Sequence, residues 1–344
     1  MTEACAAGVR QSGKFILQWH ITHACNLRCA HCYQKDYAEQ TSDEDLITIL
    51  EKYDDYLREN DLRGHIFLTG GEPLTHPGFF DLLRAINQRG IPFTVLTNGT
   101  LIDKRAARRF AWFRPDCVQI SLDGTRSFHD AIRGEGSFQL ALDGIDRLVK
   151  YNVPVIVSFT AQKSNLRCFR ELAEICRQHG VRKLWWDRVV TDDAAAKETL
   201  ALSTEDFKHM CRLAGRLHKH YKRRTGDFTV SCERSLQFLK CGDAQPYTCH
   251  AGKDMLTILP DGSVMPCRRL PFVSGNIHEA DFRTILNQSD VQALAQAPIP
   301  AACEACKYAS RCRGGAKCVT YGQTNELFSR DVNCFLNLRG GKPS

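Results

Sequence analysis

From residue 15 to about residue 222, short apolar runs alternate six times with amphipathic stretches, and this alternation restricts the chain to few folds. The strand-like runs are Phe15–Ile21, His65–Thr69, Pro92–Thr97, Cys117–Leu122, Val153–Phe159 and Lys183–Val190. Between them the hydrophobic period lengthens to that of a helix. In the first such stretch Leu46, Ile49, Leu50, Tyr53 and Leu57 share one face, and Ser42 with Asp45 is placed as an N-terminal capping box. Further helices are predicted near Phe79–Arg89, Lys104–Phe113, Phe138–Lys150 and Phe169–His179. A sixth begins at Ser203 and aligns Phe207, Met210, Cys211, Ala214, Leu217 and Tyr221. Successive βα units predict an α/β fold, a parallel sheet with outer helices. Six units fall short of a closed eight-unit barrel. An open partial barrel and a doubly wound sheet both satisfy the pattern, and both place function at the C-terminal ends of the strands.

Past about residue 225 helical periodicity fades, and Cys, Gly and Pro become frequent. Leu256–Leu259, the turn Pro260-Asp261-Gly262-Ser263 and Val264-Met265 predict a β-hairpin. The expected organisation is a polar extension over 1–14, a core over 15–225 and a small metal-held domain over 226–344.

The 344 residues contain 17 Cys, but neither a signal peptide nor a run of about 18 apolar residues. A cytoplasmic location is expected, where thiols stay reduced, so the cysteines read as metal ligands rather than disulfides. The net charge of +7 is spread along the chain, which argues against nucleic-acid binding. Cys5, Cys117, Cys168, Cys176, Cys211 and Cys232 are scattered and read as small buried hydrophobes; Cys176 shares a face with Leu172 and Ala173.

The first strand runs into Cys25-x3-Cys29-x2-Cys32, in the first βα loop. Three thiolates suit a soft metal centre, and a [4Fe–4S] cluster on three ligands leaves one iron open, as catalysis requires. A zinc site completed by His23 or His31 is the competing reading.

The context of these cysteines resembles the radical SAM family. The spacing matches its C-x3-C-x-φ-C signature, with His31 at the φ position, and Gly70-Gly71-Glu72-Pro73 after the second strand resembles its GGEP motif. The resemblance implies a partial (β/α)6 TIM-like barrel in which Cys25, Cys29 and Cys32 hold the cluster that cleaves S-adenosylmethionine. It further implies that Gly70, Gly71 and Glu72 meet the amino group of that cofactor, the Glu72 carboxylate accepting from the ammonium. Asn98, Ser121 and Asp123 at the third and fourth strand ends, Thr160 and Asn165 after the fifth, and Arg188 at the sixth are similar to positions lining the cofactor pocket. His129–Gly134 looks like a loop near substrate, and Arg188 is suited to hold a carboxylate bidentately.

The C-terminal pattern Cys249-x12-Gly262-x4-Cys267, Cys303-x2-Cys306-x5-Cys312-x5-Cys318 and Cys334 resembles the SPASM domain with its two auxiliary [4Fe–4S] clusters. One departure is x5 where the family has x3 between Cys312 and Cys318, within a Gly-rich loop. The resemblance assigns Cys303, Cys306, Cys312 and Cys334 to an outer cluster and Cys249, Cys267 and Cys318 to an inner one. Cys241 is the expected fourth inner ligand, with Cys232 next in order and an open iron as the alternative. A pair of structural zinc sites is the other reading of these cysteines.

By resemblance the activity is reductive cleavage of S-adenosylmethionine to a 5′-deoxyadenosyl radical, which takes hydrogen from a substrate. Maturation of a ribosomally made peptide, by crosslink, thioether, epimerisation or oxidation, is the first expectation. Sulfatase maturation is disfavoured, because Arg268 follows Cys267 where those enzymes carry Asp. Modification of a haem-pathway tetrapyrrole is the alternative, with Arg167, Arg188, Arg268 and Arg269 available to propionates. A non-catalytic metal-binding scaffold is the reading from another class. Expected partners are an electron donor such as flavodoxin or ferredoxin and, since the cluster motif begins at residue 25, a separate leader-peptide-binding protein, with recognition by the barrel mouth itself as the alternative.

Overall fold

The computed structural model describes residues 13–34, 36–191, 193–224, 226–241 and 244–336. Residues 1–12 of the expected N-terminal extension lie outside them. The first half follows the predicted alternation: β1 (Lys14–His20), α1 (Asp43–Glu59), β2 (Arg63–Thr69), α2 (Phe79–Gln88), β3 (Phe93–Thr97), α3 (Lys104–Phe113) and β4 (Cys117–Ser121). Two helices, α4 (Arg126–Arg133) and α5 (Ser137–Lys150), then precede β5 (Val155–Ala161), α6 (Phe169–Gln178) and β6 (Lys183–Arg188). After α7 (Ala194–Leu200) and α8 (Thr204–Arg224) come β7 (Thr229–Val230), β8 (Met255–Ile258), β9 (Ser263–Met265) and β10 (Gly275–Asn276). The chain closes with α9 (Phe282–Leu286), α10 (Ser289–Ala295), α11 (Ala309–Cys312) and α12 (Lys317–Thr324).

β1 to β7 pair in sequence order, each parallel to the last, and the sheet stays open. It does not stop at the expected domain boundary. β7 extends it beyond residue 225 at one edge, and β8 pairs in parallel with β1 at the other, bringing the predicted hairpin β8–β9 into the same ten-stranded sheet. Leu17 and Trp19 of β1, flanked on both sides, are wholly buried. Burial of side chains this size contributes about 1.5–3 kcal/mol each.

Local chemistry explains the element ends. The Ser42 Oγ caps α1 by accepting from the Asp45 N–H at 3.0 Å, and its own hydroxyl donates to the Asp45 carboxylate at 2.6 Å. The Tyr53 hydroxyl of α1 donates to the Phe15 carbonyl at 2.6 Å and accepts from the His65 N–H at 3.1 Å, fixing the helix to β1 and β2. Phe282 of α9 packs against Phe15, Tyr53 and Tyr56, so the C-terminal segment shares the main core. Every residue of the predicted apolar face of α8, from Phe207 to Tyr221, is buried. No described helix is long and apolar enough to cross a membrane.

Candidate active site

The C-terminal ends of the parallel strands open into one cleft of about 1040 Å³, part of it open to solvent. Cys25, Cys29 and Cys32 line it together with Gly70, Gly71, Asn98, Ser121, Thr160 and Arg188. The cysteine loop is not held by its own secondary structure. It lies directly on the end of β2, where the Gly71 N–H donates to the Thr22 carbonyl at 2.7 Å and the Glu72 N–H to the Ala24 carbonyl at 2.8 Å. A Cβ on Gly70 would stand 2.3 Å from the Thr22 carbonyl oxygen, and one on Gly71 2.3 Å from that of Ala24. The glycine pair is therefore what permits the loop to cross the strand end.

Two more attachments hold the loop. The Asn98 amide donates to the Asn26 side chain at 2.9 Å, and the Ala30 N–H donates to the Ile132 carbonyl of α4 at 2.8 Å. Arg133, the last residue of α4, donates to the Asp123 carboxylate at 2.6 Å and lies 3.7 Å from the Cys29 sulfur. Burial pushes the Asp123 carboxyl up, but the charges of Arg133 and His31 and the Thr160 N–H outweigh it and hold the group below its usual range. Burial pushes the Cys25 thiol up, and does the same to Cys29 against the opposing charge of Arg133. Such thiols become ligands where a cation stabilises the thiolate. Three of them on one wall of a roomy cleft fit a cluster with an open position.

Three expected cofactor contacts stand behind the cleft rather than on it. Glu72 is fully buried and already accepts from the Thr97 hydroxyl at 2.7 Å, the Asn98 N–H at 2.8 Å and the Leu74 N–H at 3.2 Å. Burial lifts its carboxyl to about 7 in spite of these donors. Within the chain the side chain ties the ends of β2 and β3 together, and three of the carboxylate's acceptor positions are taken before any ammonium group arrives. Asn165, also wholly buried, donates to the Asp123 and Thr160 carbonyls at 3.0 Å and accepts from the Gln162 N–H. Asp123 accepts from the Thr160 N–H at 2.8 Å as well as from Arg133. Arg188 does hold a carboxylate bidentately, but that carboxylate is Asp331 of the same chain, at 2.8 and 3.0 Å.

Sequence reasoning flagged the His129–Gly134 segment without singling out Arg133, whose role depends on α4, a helix the periodicity did not reveal. It offered Arg269 to substrate propionates, whereas the structure sets this cleft-lining side chain 2.7 Å from the Asp187 carboxylate of the chain itself.

The later cysteines separate into groups. Cys303, Cys306, Cys312 and Cys334 line a second cavity, of about 350 Å³, with Phe238 and Tyr308. Cys249, Cys267 and Cys318 pack around Ala251, Leu270 and Val319. Burial pushes the Cys312 and Cys318 thiols up to about 12. The two extra residues before Cys318 are absorbed by left-handed backbone at Arg313, Gly314 and Gly315, with φ of 47°, 87° and 92°. Cys241 lies beside Cys232, the other candidate for the fourth inner ligand. Its sulfur lies within 4.8 Å of the Cys232 sulfur and a His218 ring nitrogen. The cause is the tight turn Gln237–Lys240, whose end rests on α8 at Gly215, where a Cβ would be 2.4 Å from the Lys240 carbonyl oxygen.

This arrangement agrees with comparison to known proteins. Residues 19–176 match the radical SAM superfamily and residues 249–312 the SPASM iron–sulfur cluster-binding domain. An AdoMet-dependent heme synthase from Methanosarcina barkeri is 25% identical over 95% of this chain and 97% of its own length. The antilisterial bacteriocin subtilosin biosynthesis protein AlbA of Bacillus subtilis is 27% identical over 92% of this chain and 69% of its own. The solved structure of anSMEcpe with bound AdoMet and Cp18Cys peptide superposes with a TM-score of 0.77 at 19% identity, covering 93% of each chain. The chain belongs to the radical SAM superfamily and carries an iron–sulfur cluster-binding SPASM domain in its C-terminal part.

Proposed function

We propose that the chain matures a peptide, with Cys25, Cys29 and Cys32 holding the S-adenosylmethionine-cleaving cluster and the C-terminal cysteines holding two auxiliary clusters. The observation that carries this reading is charge pairing. Each guanidinium on the cleft wall is matched by a carboxylate of the chain itself: Arg133 by Asp123, Arg188 by Asp331 and Arg269 by Asp187. A tetrapyrrole with several propionates needs unmatched cations, whereas an uncharged peptide segment does not. At the mouth Tyr33 and Tyr37 offer aromatic surface for such a segment. The subtilosin biosynthesis protein aligns over most of this chain, and a structural neighbour binds a peptide.

When bound, the cluster and S-adenosylmethionine supply a carbon radical that removes hydrogen from the substrate. The protein's part is positional. Gly70 and Gly71 bring backbone to the cofactor, Arg133 orients the loop around Cys29, and Leu96, Val189 and Val190 keep the wall apolar. Electrons come from a donor such as flavodoxin or ferredoxin, and a separate protein presents the leader peptide. The proposed division is a core over 15–225 and a cluster domain over 226–344, acting in the cytoplasm.

A haem-pathway tetrapyrrole is the second reading. The heme synthase relatives align along nearly the whole chain. Arg268 stacks on Tyr33 at 4.0 Å, with no carboxylate paired to it among the described residues. The test is anaerobic incubation of reduced enzyme and S-adenosylmethionine with either a peptide encoded beside the gene or an iron–coproporphyrin. Faster 5′-deoxyadenosine release and a changed peptide mass are expected. Acceleration by the porphyrin alone overturns the proposal.

A further inference from the structure

We propose that His218, Cys232 and Cys241 form a mononuclear zinc site, separate from the iron–sulfur clusters, that fastens α8 to the segment leading into the cluster domain. A His218 ring nitrogen and the two sulfurs lie within 4.8 Å of one another. His218 Nδ1 donates to the Val230 carbonyl at 2.8 Å, which leaves the lone pair on Nε2. A ring N–H fixed on a backbone carbonyl is the usual support of a metal-bound imidazole. Cys232 and Cys241 are almost fully buried, at 3% and 1% exposure.

The spacing distinguishes a single ion from a cluster. With Zn–S bonds of about 2.3 Å and Zn–N bonds of about 2.0 Å, tetrahedral geometry sets ligand atoms about 3.5–3.8 Å apart. A cubane, whose cysteines each bind a different iron, spreads its cysteine sulfurs more widely than a single ion does. Among the described residues, no three of the cysteines at positions 25–32 or 249–334 lie mutually within 4.8 Å, whereas the trio at His218 does. Only a small inward movement closes the trio around one ion. Two thiolates and one imidazole are a donor set that suits zinc, and the two thiolates balance its charge once two protons leave. The fourth position takes water.

The three ligands come from three pieces of chain. His218 is on α8, Cys232 follows β7, and Cys241 ends the turn Gln237–Lys240. Only seven residues separate Cys241 from Cys249, so the ion would anchor the stretch of chain that delivers the inner cluster's first cysteine. Cys241 is then spent on zinc, and the inner cluster keeps three cysteines.

The test is metal analysis of the full-length holoprotein purified anaerobically. The wild type is expected to contain about one zinc per chain beside its iron. Cys232→Ser, Cys241→Ser and His218→Gln should each lose that zinc with iron and sulfide unchanged. Zinc-edge X-ray absorption of the wild type, which needs no variant, should give two sulfur and two nitrogen or oxygen neighbours. Loss of about four irons from Cys241→Ser with His218→Gln unaffected makes Cys241 a cluster ligand and overturns the proposal. A wild type that neither contains nor takes up zinc, or whose zinc has four sulfur neighbours, overturns it too.

Discussion

Arg188 at the end of β6 and Asp331, three residues before Cys334, form a bidentate pair at 2.8 and 3.0 Å with both side chains essentially sealed from solvent. Asp331 also accepts from the Ala316 N–H at 3.1 Å and the Ser235 hydroxyl at 3.3 Å, while Arg188 reaches Asn333 and stacks on Phe207. One carboxylate thus joins the end of β6 to the loop before Cys318 and to the turn before Cys334. Gly315 stands against it so closely that a Cβ would be 2.5 Å from the Asp331 Cβ.

Removing one member of this pair strands a buried charge, which costs about 3–5 kcal/mol. Arg188→Met and Asp331→Asn should each lower stability by that order, and the double variant should lose less than the sum of the two. Anaerobic urea unfolding followed by tryptophan fluorescence measures the coupling. Fully additive losses would mean that the pair does not join the two parts.

At Gly71 the constraint is steric. Gly71→Ala drives a methyl group onto the Ala24 carbonyl oxygen, and backbone cannot yield as a flexible side chain does. The variant should fold and keep its auxiliary clusters but lose about four irons per chain, those of the first cluster. Iron analysis and the loss of 5′-deoxyadenosine formation check this. Full iron content in the variant would show that the loop does not need its seat on β2.

Much of this was legible because the signals are local. Short apolar runs placed β1 to β6 within about two residues, and the family resemblance grouped the cysteines at 303, 306, 312 and 334 that share one cavity. What escaped were choices made by distant partners. Nothing adjacent to Arg188 indicates that residue 331 supplies its carboxylate. Glu72 reads as a cofactor contact because its motif does, yet Thr97 and the Asn98 N–H, from the next strand, draw it behind the wall. The parallel docking of β8 on β1 joins segments about 240 residues apart, which no periodicity encodes.

His129 ties acid stability to the site. Its Nδ1 accepts from the Asp123 N–H at 3.1 Å, which requires a neutral ring, and burial with the nearby Arg133 charge lowers it from 6.5 to about 4. Between those values the unfolded chain binds a proton that the folded one refuses, so stability falls as pH falls below 6.5. The contribution is about 2 kcal/mol at pH 5. His129→Asn keeps an acceptor without titrating, so its stability should decline less than the wild type's from pH 7 to pH 5. Parallel curves in thermal melts across that range would remove His129 from the account.

Arg133 makes the sharpest prediction about activity, because it touches both the cysteine loop and the strand ends. Its guanidinium sits 3.7 Å from the Cys29 sulfur and 2.6 Å from Asp123, whose other oxygen accepts from the Thr160 N–H. Arg133→Met removes the charge and both contacts while roughly keeping volume. Asp123 is then left buried without its guanidinium partner, with the His31 ring 3.7 Å away. Groups that orient metal ligands from outside the coordination sphere typically cost 10–100-fold when removed. S-adenosylmethionine cleavage should fall by about that factor. The iron content should hold, since Cys25, Cys29 and Cys32 remain, while the electron paramagnetic resonance of the reduced cluster with S-adenosylmethionine should shift. Arg133→Lys returns the charge without the planar fork, so it should recover only part of the rate. An unchanged rate and spectrum in Arg133→Met would make this arginine a structural clamp for Asp123 alone.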